Sequence, residues 1–198
     1  MNPVISYNDF LKFMQWSPNQ NNRLIPVLLI KPSTVLYLNR EHMLDHLFDY
    51  YDRRSANDIQ FFLPGYVHYP TTSFAEILPN WSPHNENTVA FKLSRLNNIY
   101  YSNDKFIDFV EVLEKNIQDF KYYGDTVLFF IEYQADTNGK IGRLNFKKNY
   151  QFNLSELYYS NNHNIRRIDL FLESVIHSIR ESRNDEELIE RIKNCFGF

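Results

Sequence analysis

The chain contains a single cysteine, Cys195, among its 198 residues. One cysteine forms no intramolecular disulfide and no cysteine-based zinc site, so we expect a reducing compartment. The chain also lacks any uninterrupted apolar run of about 18 residues, and its first residues have no basic stretch followed by an apolar one. These absences predict a soluble, cytoplasmic protein that does not bind a membrane.

Several sequence motifs that bind phosphate or activate a nucleophile are also missing. The 5 glycines form no G-x-G-x-x-G, no G-x-x-x-x-G-K-[ST] and no G-x-S-x-G pattern, which excludes the standard dinucleotide cradle, the P-loop and the nucleophile elbow. Cys195 has no histidine near it in sequence, so no catalytic thiol is expected. We therefore assign no catalytic residue, expect no cofactor, and leave open whether the chain is an enzyme.

The charge balance is unremarkable, with 21 basic and 24 acidic residues and a formal net charge of -3. Such a chain has no global field that would attract nucleic acid. Arg143 to Phe152 does interleave basic residues with aromatic rings, a pattern that can bind single-stranded nucleic acid. A basic outer face on an edge strand, which deters aggregation, explains the same pattern equally well, so nucleic acid is not the expected partner.

The composition is otherwise that of a folded domain. A hydrophobic content of 43% in 198 residues is enough for a substantial core, which predicts one domain over residues 1–198. Aromatic residues make up 17% of the chain. Abundant Asn, Ile, Lys and Tyr indicate an AT-rich bacterial genome.

Hydrophobic periodicity divides the chain into helices and strands. The predicted helices cover Asn8 to Trp16, Arg40 to Arg54, Asp104 to Phe120, Ile165 to Arg183, and a last segment that begins at Asn184. Ser6 and Asp9 resemble a capping box before the first helix. The third helix has one apolar stripe, formed by Phe106, Phe109, Val110, Leu113 and Ile117. The predicted strands cover Leu24 to Ile30, Asp58 to Gly65, Thr88 to Leu93, Thr126 to Tyr133, and Ile141 to Phe146. The first is a continuous apolar run typical of a strand buried on both faces, and Pro26 is expected only near its start, because proline donates no hydrogen bond to a ladder. Tyr66 to Asn87 is expected to be a long irregular loop, and loops of this length are often functional.

This alternation predicts an α/β fold. We expect a mainly parallel open sheet of roughly four to six strands with flanking helices, an antiparallel hairpin at one edge, and two C-terminal helices. The hairpin is predicted from the Asn138-Gly139 pair, which is typical of a tight turn. A mixed α+β fold is the alternative.

The segment "HMLDH" has the sharpest spacing in the chain. His42 and His46 lie four residues apart, so on a helix they share a face and could bind one divalent metal. The pattern H-x-x-D-H differs by one residue type from the H-x-x-E-H of inverted zinc peptidases. No second motif supplies a third ligand, and two surface histidines on a helix flank explain the spacing without a metal.

Two arginines end the same predicted helix. Asp49 and Arg53 are four apart with the acid first, which favours an ordinary ion pair, and positive charge suits the last turn of a helix. Arg53 and Arg54 could instead face a phosphate or a carboxylate of a partner. Both interpretations stay open at the level of sequence.

In open α/β sheets, ligands bind beyond the carboxyl ends of the strands. If the predicted strands are parallel, these ends are Lys31 to Thr34, Gly65 to His68, Ser94 to Arg95, and Gln134 to Asp136. The second segment is the richest because Gly65 allows close backbone approach, while Tyr66 and His68 offer a ring and a titratable group.

The favoured hypothesis is a non-catalytic binding or adaptor subunit of a bacterial multi-protein system, acting on a protein partner or on a second copy of itself. Tyr, Phe and Trp in turn-rich segments exceed what one core is expected to absorb. The candidate binding residues are Arg53, Arg54, Gly65, Tyr66, His68, Trp81 and Arg95. The alternative is a small enzyme acting on a nucleotide or another phosphorylated ligand at the strand ends, and a metal-dependent hydrolase using His42 and His46 is a minor alternative.

Overall fold

The computed structural model describes residues 2–4, 6–16, 23–31, 61–69, 88–93, 97–136, 142–155 and 166–196. The strands are β1 (Asn2–Val4), β2 (Arg23–Leu29), β3 (Phe62–Pro64), β4 (Tyr66–Tyr69), β5 (Thr88–Leu93), β6 (Asn97–Ser102), β7 (Val127–Gln134) and β8 (Arg143–Asn153). The helices are α1 (Tyr7–Trp16), α2 (Asn103–Asn116), α3 (Arg166–Glu181) and α4 (Asp185–Phe196). The predicted helix from Arg40 to Arg54 lies outside the described residues.

A five-stranded mixed sheet forms the centre, in the order β1-β3-β2-β7-β8. The pairings β1 with β3 and β3 with β2 are parallel, whereas β2 with β7 and β7 with β8 are antiparallel. The expected combination of strands and helices is confirmed, and so is the antiparallel hairpin of β7 and β8. The expectation of a mainly parallel sheet is not supported, because β7 runs against its central neighbour β2.

A second sheet of three antiparallel strands has the order β4-β6-β5. Its first strand, β4, begins at Tyr66 directly after Gly65, inside the segment predicted to be an irregular loop. That prediction is wrong for Tyr66–Tyr69. The chain passes from one sheet to the other at Gly65, whose N–H donates to the Val4 carbonyl at 2.9 Å and whose carbonyl accepts from the Ser102 N–H at 2.8 Å.

Helices cover both faces of the five-stranded sheet. Phe10 of α1 contacts Phe62 of β3, with ring centroids 4.7 Å apart, and Phe109 of α2 at 6.2 Å. On the opposite face, Phe152 of β8 contacts Phe171 of α3 at 5.7 Å. Successive residues of a strand point to opposite faces, so the apolar run of β7 serves both helical layers, which explains why Val127 to Ile131 are all buried.

Two local predictions about helices are confirmed. The Ser6 hydroxyl donates to the Asp9 carboxylate at 2.6 Å and accepts the Asp9 N–H at 3.2 Å, which is the predicted capping box of α1. The predicted apolar stripe of α2 is buried: Phe106, Phe109, Val110, Leu113 and, just after the helix, Ile117. Burial of this stripe against the sheet, rather than intrinsic propensity, accounts for the position of α2.

The place of Pro26 differs from expectation. It was expected near the start of its strand because proline donates no hydrogen bond to a ladder, yet it is the central residue of β2, opposite Phe130 of β7. The partner of β3 on β2 is the next residue, Val27. β2 therefore tolerates Pro26 at a position that precedes its parallel pairing.

Candidate functional site

The parallel strands β1, β3 and β2 are neighbours, so their carboxyl ends meet at one edge of the sheet, which we call the carboxyl edge. It contains Val4, Gly65 and Lys31 at the ends of these three strands. The antiparallel strand β7 begins at the same edge, since Val127 pairs with Leu29. Ligands in α/β proteins bind at such an edge, which makes it the first place to look for a site.

One predicted strand end does not belong to this edge. Gln134 pairs with Arg143, and the preceding Tyr133 pairs with Arg23 at the amino end of β2. The expectation that Gln134 to Asp136 joins the other strand ends is therefore wrong, because it assumed a parallel β7. The residues that take its place are Asp125 and Thr126, which precede β7.

Gly65 is needed for the approach of a helix. Its φ is +80°, and a Cβ at this position would lie 2.7 Å from the Phe106 Cβ of α2. Only glycine combines this backbone conformation with so close a neighbour. The predicted close backbone approach at Gly65 is therefore made by α2.

Four rings contact one another in succession from this point along the carboxyl edge, in tilted and edge-to-face arrangements, and we call them the tyrosine cluster. The centroid distances are 5.0 Å from Tyr66 to Tyr101, 5.7 Å from Tyr101 to Phe106, and 5.4 Å from Phe106 to Tyr122. The Tyr66 ring is fully buried, and its hydroxyl donates to the Ile30 carbonyl at 2.9 Å. Burial is the main cause that raises the pKa of Tyr66, Tyr101 and Tyr122, so all three are neutral phenols at pH 7.

Lys31 is partly exposed and lies beside two rings of the cluster. Its Nζ is 5.8 Å from the ring centroid of Phe106 and 5.6 Å from that of Tyr122, within cation–π range of both. The ion pairs found among the described residues involve other cations. Lys31 is thus a half-buried ammonium held by two aromatic faces.

Two buried hydroxyls near this edge have no hydrogen-bond partner in the part of the chain that the structure describes. They are Tyr122 Oη and Thr126 Oγ1. The Thr126 backbone N–H, in contrast, donates to Ser155 Oγ at 2.9 Å. A buried polar atom without a partner is uncommon in proteins and calls for an explanation, of which a bound water or ligand is the simplest.

The amino end of α2 also lies at the carboxyl edge. The side chain of Ser102 caps this helix by accepting the Lys105 N–H at 3.4 Å, while the Ser102 N–H bonds to Gly65. The amino end of a helix carries partial positive charge. This partial charge adds to the charge of Lys31. Phe106, one of the two rings beside Lys31, belongs to the first turn of α2.

A second polar cluster lies at the amino end of β2 and is explained by packing. Glu132 accepts from Asn145 at 2.8 Å, from Lys148 at 3.0 Å and from Gln134 at 3.0 Å, and Lys148 also donates to Asp185 of α4 at 2.8 Å. The bond from Asn145, followed by that from Lys148, lowers the pKa of Glu132. Lys148 bridges the two carboxylates and fastens α4 to the sheet, so packing explains this cluster without a ligand. This arrangement also gives Lys148, within the basic Arg143 to Phe152 segment, a structural role.

The predicted site residues fall into two groups. Arg53, Arg54, Trp81 and Arg95, with the histidine pair His42 and His46, lie outside the described residues. The remaining three are Gly65, Tyr66 and His68, of which Gly65 and Tyr66 lie at the carboxyl edge as core residues. His68 is in β4, opposite Ile99 of β6.

The sequence pointed to Tyr122 only as one of the surplus rings in turn-rich segments. It did not single out Thr126, or Lys31 beyond its position after a strand. The sequence feature that could have indicated this part of the site is the segment Tyr122-Tyr123-Gly124, which lies directly before a buried strand. Tyr123 is 86% exposed, whereas Tyr66, Tyr101 and Tyr122 pack into or against the core. Packing at the carboxyl edge therefore absorbs three of these rings, Tyr66, Tyr101 and Tyr122.

Within the described part of the chain, no group of three or more His, Cys, Asp or Glu side chains could hold a metal ion. None of the described helices is long and apolar enough to cross a membrane. No protein-family model, curated protein or solved structure matches the chain. The carboxyl edge itself is therefore the basis for inferring a function.

Proposed function

We propose that the chain is a small-ligand-binding domain whose carboxyl edge binds a phosphorylated compound such as a nucleotide. The observation that carries this proposal is Lys31, an ammonium held by two rings at the ends of three parallel strands. A lysine in this position can donate to phosphate as a point charge. The amino end of α2 adds partial positive charge at the same edge.

The hydroxyl of Tyr122 supports the same ligand class. It is buried and has no partner among the described residues. A phenol is neutral at pH 7 at its ordinary pKa of 10.0, and burial, and secondarily the carboxylate of Asp125, raises the pKa of Tyr122 further. A neutral phenol donates a hydrogen bond to an anionic oxygen and carries no charge that would repel it. We propose that Lys31 and Tyr122 donate to the same phosphate, since the Lys31 ammonium lies 5.6 Å from the centroid of the Tyr122 ring.

A thermal-shift screen tests the proposal. Nucleotides, sugar phosphates and inorganic phosphate are each added to the wild type, to Lys31→Met and to Lys147→Met. A ligand at a hundredfold its dissociation constant stabilises the fold by about 2.7 kcal/mol. We expect such stabilisation in the wild type and in Lys147→Met, whose exposed lysine lies on β8, but not in Lys31→Met. A flat screen, or equal shifts in all three proteins, would contradict the proposal.

A partner-binding or adaptor role is the second candidate, and Tyr123 is the observation that favours it. This ring is 86% exposed, and the following Gly124 would have no atom within 4 Å of an added Cβ. A large exposed ring on an open segment resembles the aromatic anchors of protein interfaces. A photo-crosslinking amino acid at position 123 should capture one defined protein in the native host, and the same group at Glu111 of α2 should not.

A further inference from the structure

The segment between α2 and β7 carries Tyr122 to its place over Lys31. α2 ends at Asn116, and the chain turns at Asp119, whose φ is +61°. The Phe120 ring packs against Phe129 of β7 with centroids 4.8 Å apart. Phe120 therefore fixes the segment to the core, but the ring of Tyr122 lies two residues farther on and needs its own anchor.

Glu114 provides this anchor. Its Oε1 accepts the backbone N–H of Tyr122 at 2.8 Å, and its Oε2 accepts the Lys121 Nζ at 3.2 Å. The side chain of Glu114 is 24% exposed. Both of its oxygens are thus used to hold two consecutive residues of the segment against the last full turn of α2.

The anchor is electrostatically favourable. The Tyr122 backbone N–H, as the largest cause, and then Lys121 lower the pKa of the Glu114 carboxyl. A carboxylate that accepts a backbone N–H forms a charge-assisted bond, which is stronger than a bond between neutral groups. Among the described residues, Glu114 accepts the Tyr122 N–H, so its loss removes the hydrogen bond that holds the Tyr122 backbone.

We infer that Glu114 is the positioning residue of the Lys31 site: by holding the Tyr122 backbone, it keeps the Tyr122 ring over the Lys31 ammonium. This inference rests on the proposed function for its biological meaning, since Lys31 is the proposed phosphate-binding group. The hydrogen bonds of Glu114 are made with Lys121 and Tyr122. Its role is carried through Tyr122.

The test measures, by NMR, the chemical shift that the neighbouring ring currents cause at the Lys31 side chain, and it needs no ligand. All lysines are converted to ¹³C-dimethyl-lysine, and the Lys31 signal is assigned from its absence in Lys31→Arg. Because Lys31 lies over two ring faces, its methyl signal should be shifted upfield in the wild type. Tyr122→Leu defines the position of the signal when one of the rings is removed.

We expect Glu114→Ala to move the Lys31 signal downfield towards its position in Tyr122→Leu. Glu114→Gln keeps an oxygen for the Tyr122 N–H and should restore most of the wild-type shift, and Lys121→Ala should leave the shift near the wild-type value. The matched control is Glu111→Ala, an exposed carboxylate on the same helix, which should have no effect. An unchanged Lys31 signal in Glu114→Ala would overturn the inference, as would equal effects of Glu114→Ala and Glu111→Ala.

A second arm separates this inference from the proposed function. Adenosine triphosphate is titrated into the unmodified wild type and into unmodified Glu114→Ala, and the melting temperature is followed. Stabilisation of the wild type that is reduced in Glu114→Ala supports both claims. Equal stabilisation of both proteins would overturn the positioning role of Glu114 in binding. If the Lys31 signal depends on Glu114 but no phosphorylated compound of the thermal-shift screen stabilises the wild type, only the proposed function is overturned.

Discussion

Tyr66 and Tyr122 belong to one cluster of rings, yet their hydroxyls differ in a way that separates structure from function. The Tyr66 hydroxyl donates to the buried Ile30 carbonyl at 2.9 Å. The Tyr122 hydroxyl is buried without a partner among the described residues. The first hydroxyl contributes to stability, and the second costs stability unless a water or a ligand satisfies it.

Replacing each tyrosine by phenylalanine should therefore have opposite effects. Tyr66→Phe leaves the Ile30 carbonyl without its donor and should lower the free energy of unfolding by about 1 to 3 kcal/mol. Tyr122→Phe removes an unsatisfied group and should raise it by about 1 kcal/mol, while weakening the binding of a phosphorylated ligand. Urea denaturation measures both changes. Equal destabilisation by the two substitutions would show that the Tyr122 hydroxyl has a structural role.

Two glycines with positive φ make a second comparison between single residues. Gly65 (φ +80°) and Gly124 (φ +97°) both disfavour a side chain, but only Gly65 has atoms close to the position of an added Cβ. Gly124→Ala should cost about 1 kcal/mol, from backbone strain alone. Gly65→Ala adds the clash with Phe106 and should cost about 1 to 3 kcal/mol more, as measured by the same denaturation experiment.

At the scale of elements, helix α2 connects the core to the candidate site. One face packs Phe106, Phe109, Val110 and Leu113 inside, while Ile107 on another face is 40% exposed. The same helix supplies the ring of Phe106 beneath Lys31 and the carboxylate of Glu114 that holds Tyr122. Its inner face maintains the fold, and its two ends build the site.

Two truncations on α2 should show how strongly the inner face contributes. Phe109→Ala removes a fully buried ring that contacts Phe10 and Tyr7 and should cost about 3 to 5 kcal/mol. Ile107→Ala, two residues earlier on the same helix, should cost less than about 1 kcal/mol because that side chain is already partly in water. Thermal or urea unfolding of the two variants measures the difference.

Helices and strands were predicted correctly from the sequence where a single local pattern specifies them. The stripe of α2, the capping box of α1 and the buried runs of β2 and β7 were all predicted because local spacing specifies them. β1, β4 and β6 were missed, since short strands depend on distant partners for their stability. The direction of β7 was also missed, because periodicity alone does not distinguish parallel from antiparallel pairing. Because of that error, Gln134 was predicted at the carboxyl edge, and the residues before β7 were not.

The contact between α4 and the sheet predicts a pH dependence. Glu132 has a lowered pKa relative to its ordinary value of 4.5, first because Asn145 and then because Lys148 donates to it. A carboxyl group whose pKa is lowered on folding stabilises the protein above its unfolded pKa, and this stabilisation is lost as the pH falls through the folded pKa.

The wild type should therefore lose stability below about pH 4.5 more steeply than Glu132→Gln. Urea midpoints measured from pH 7 to below the folded pKa give the two slopes. Equal slopes would mean that Glu132 does not contribute to acid sensitivity.

The whole molecule has helices on both faces of a mixed sheet and a second, antiparallel sheet joined to it at Gly65. The three parallel strands in the larger sheet are neighbours, so the carboxyl edge is built by β1, β3 and β2 together with the amino end of α2. We expect this arrangement to unfold as one cooperative unit, in keeping with the single domain predicted from sequence. Calorimetry should give one transition, and two separate transitions would contradict a single domain.

The central claim is that the carboxyl edge binds a phosphorylated ligand. The most direct test is a ¹H–¹⁵N NMR titration of the wild type with the most stabilising phosphorylated compound of the thermal-shift screen. We predict that the backbone signals of Lys31, Gly65 and Tyr122 move with ligand concentration, that those of Gln134 and Arg143 at the opposite edge do not, and that Lys31→Met abolishes the movement. Shifts confined to the opposite edge, or shifts at the carboxyl edge that persist in Lys31→Met, would contradict the account.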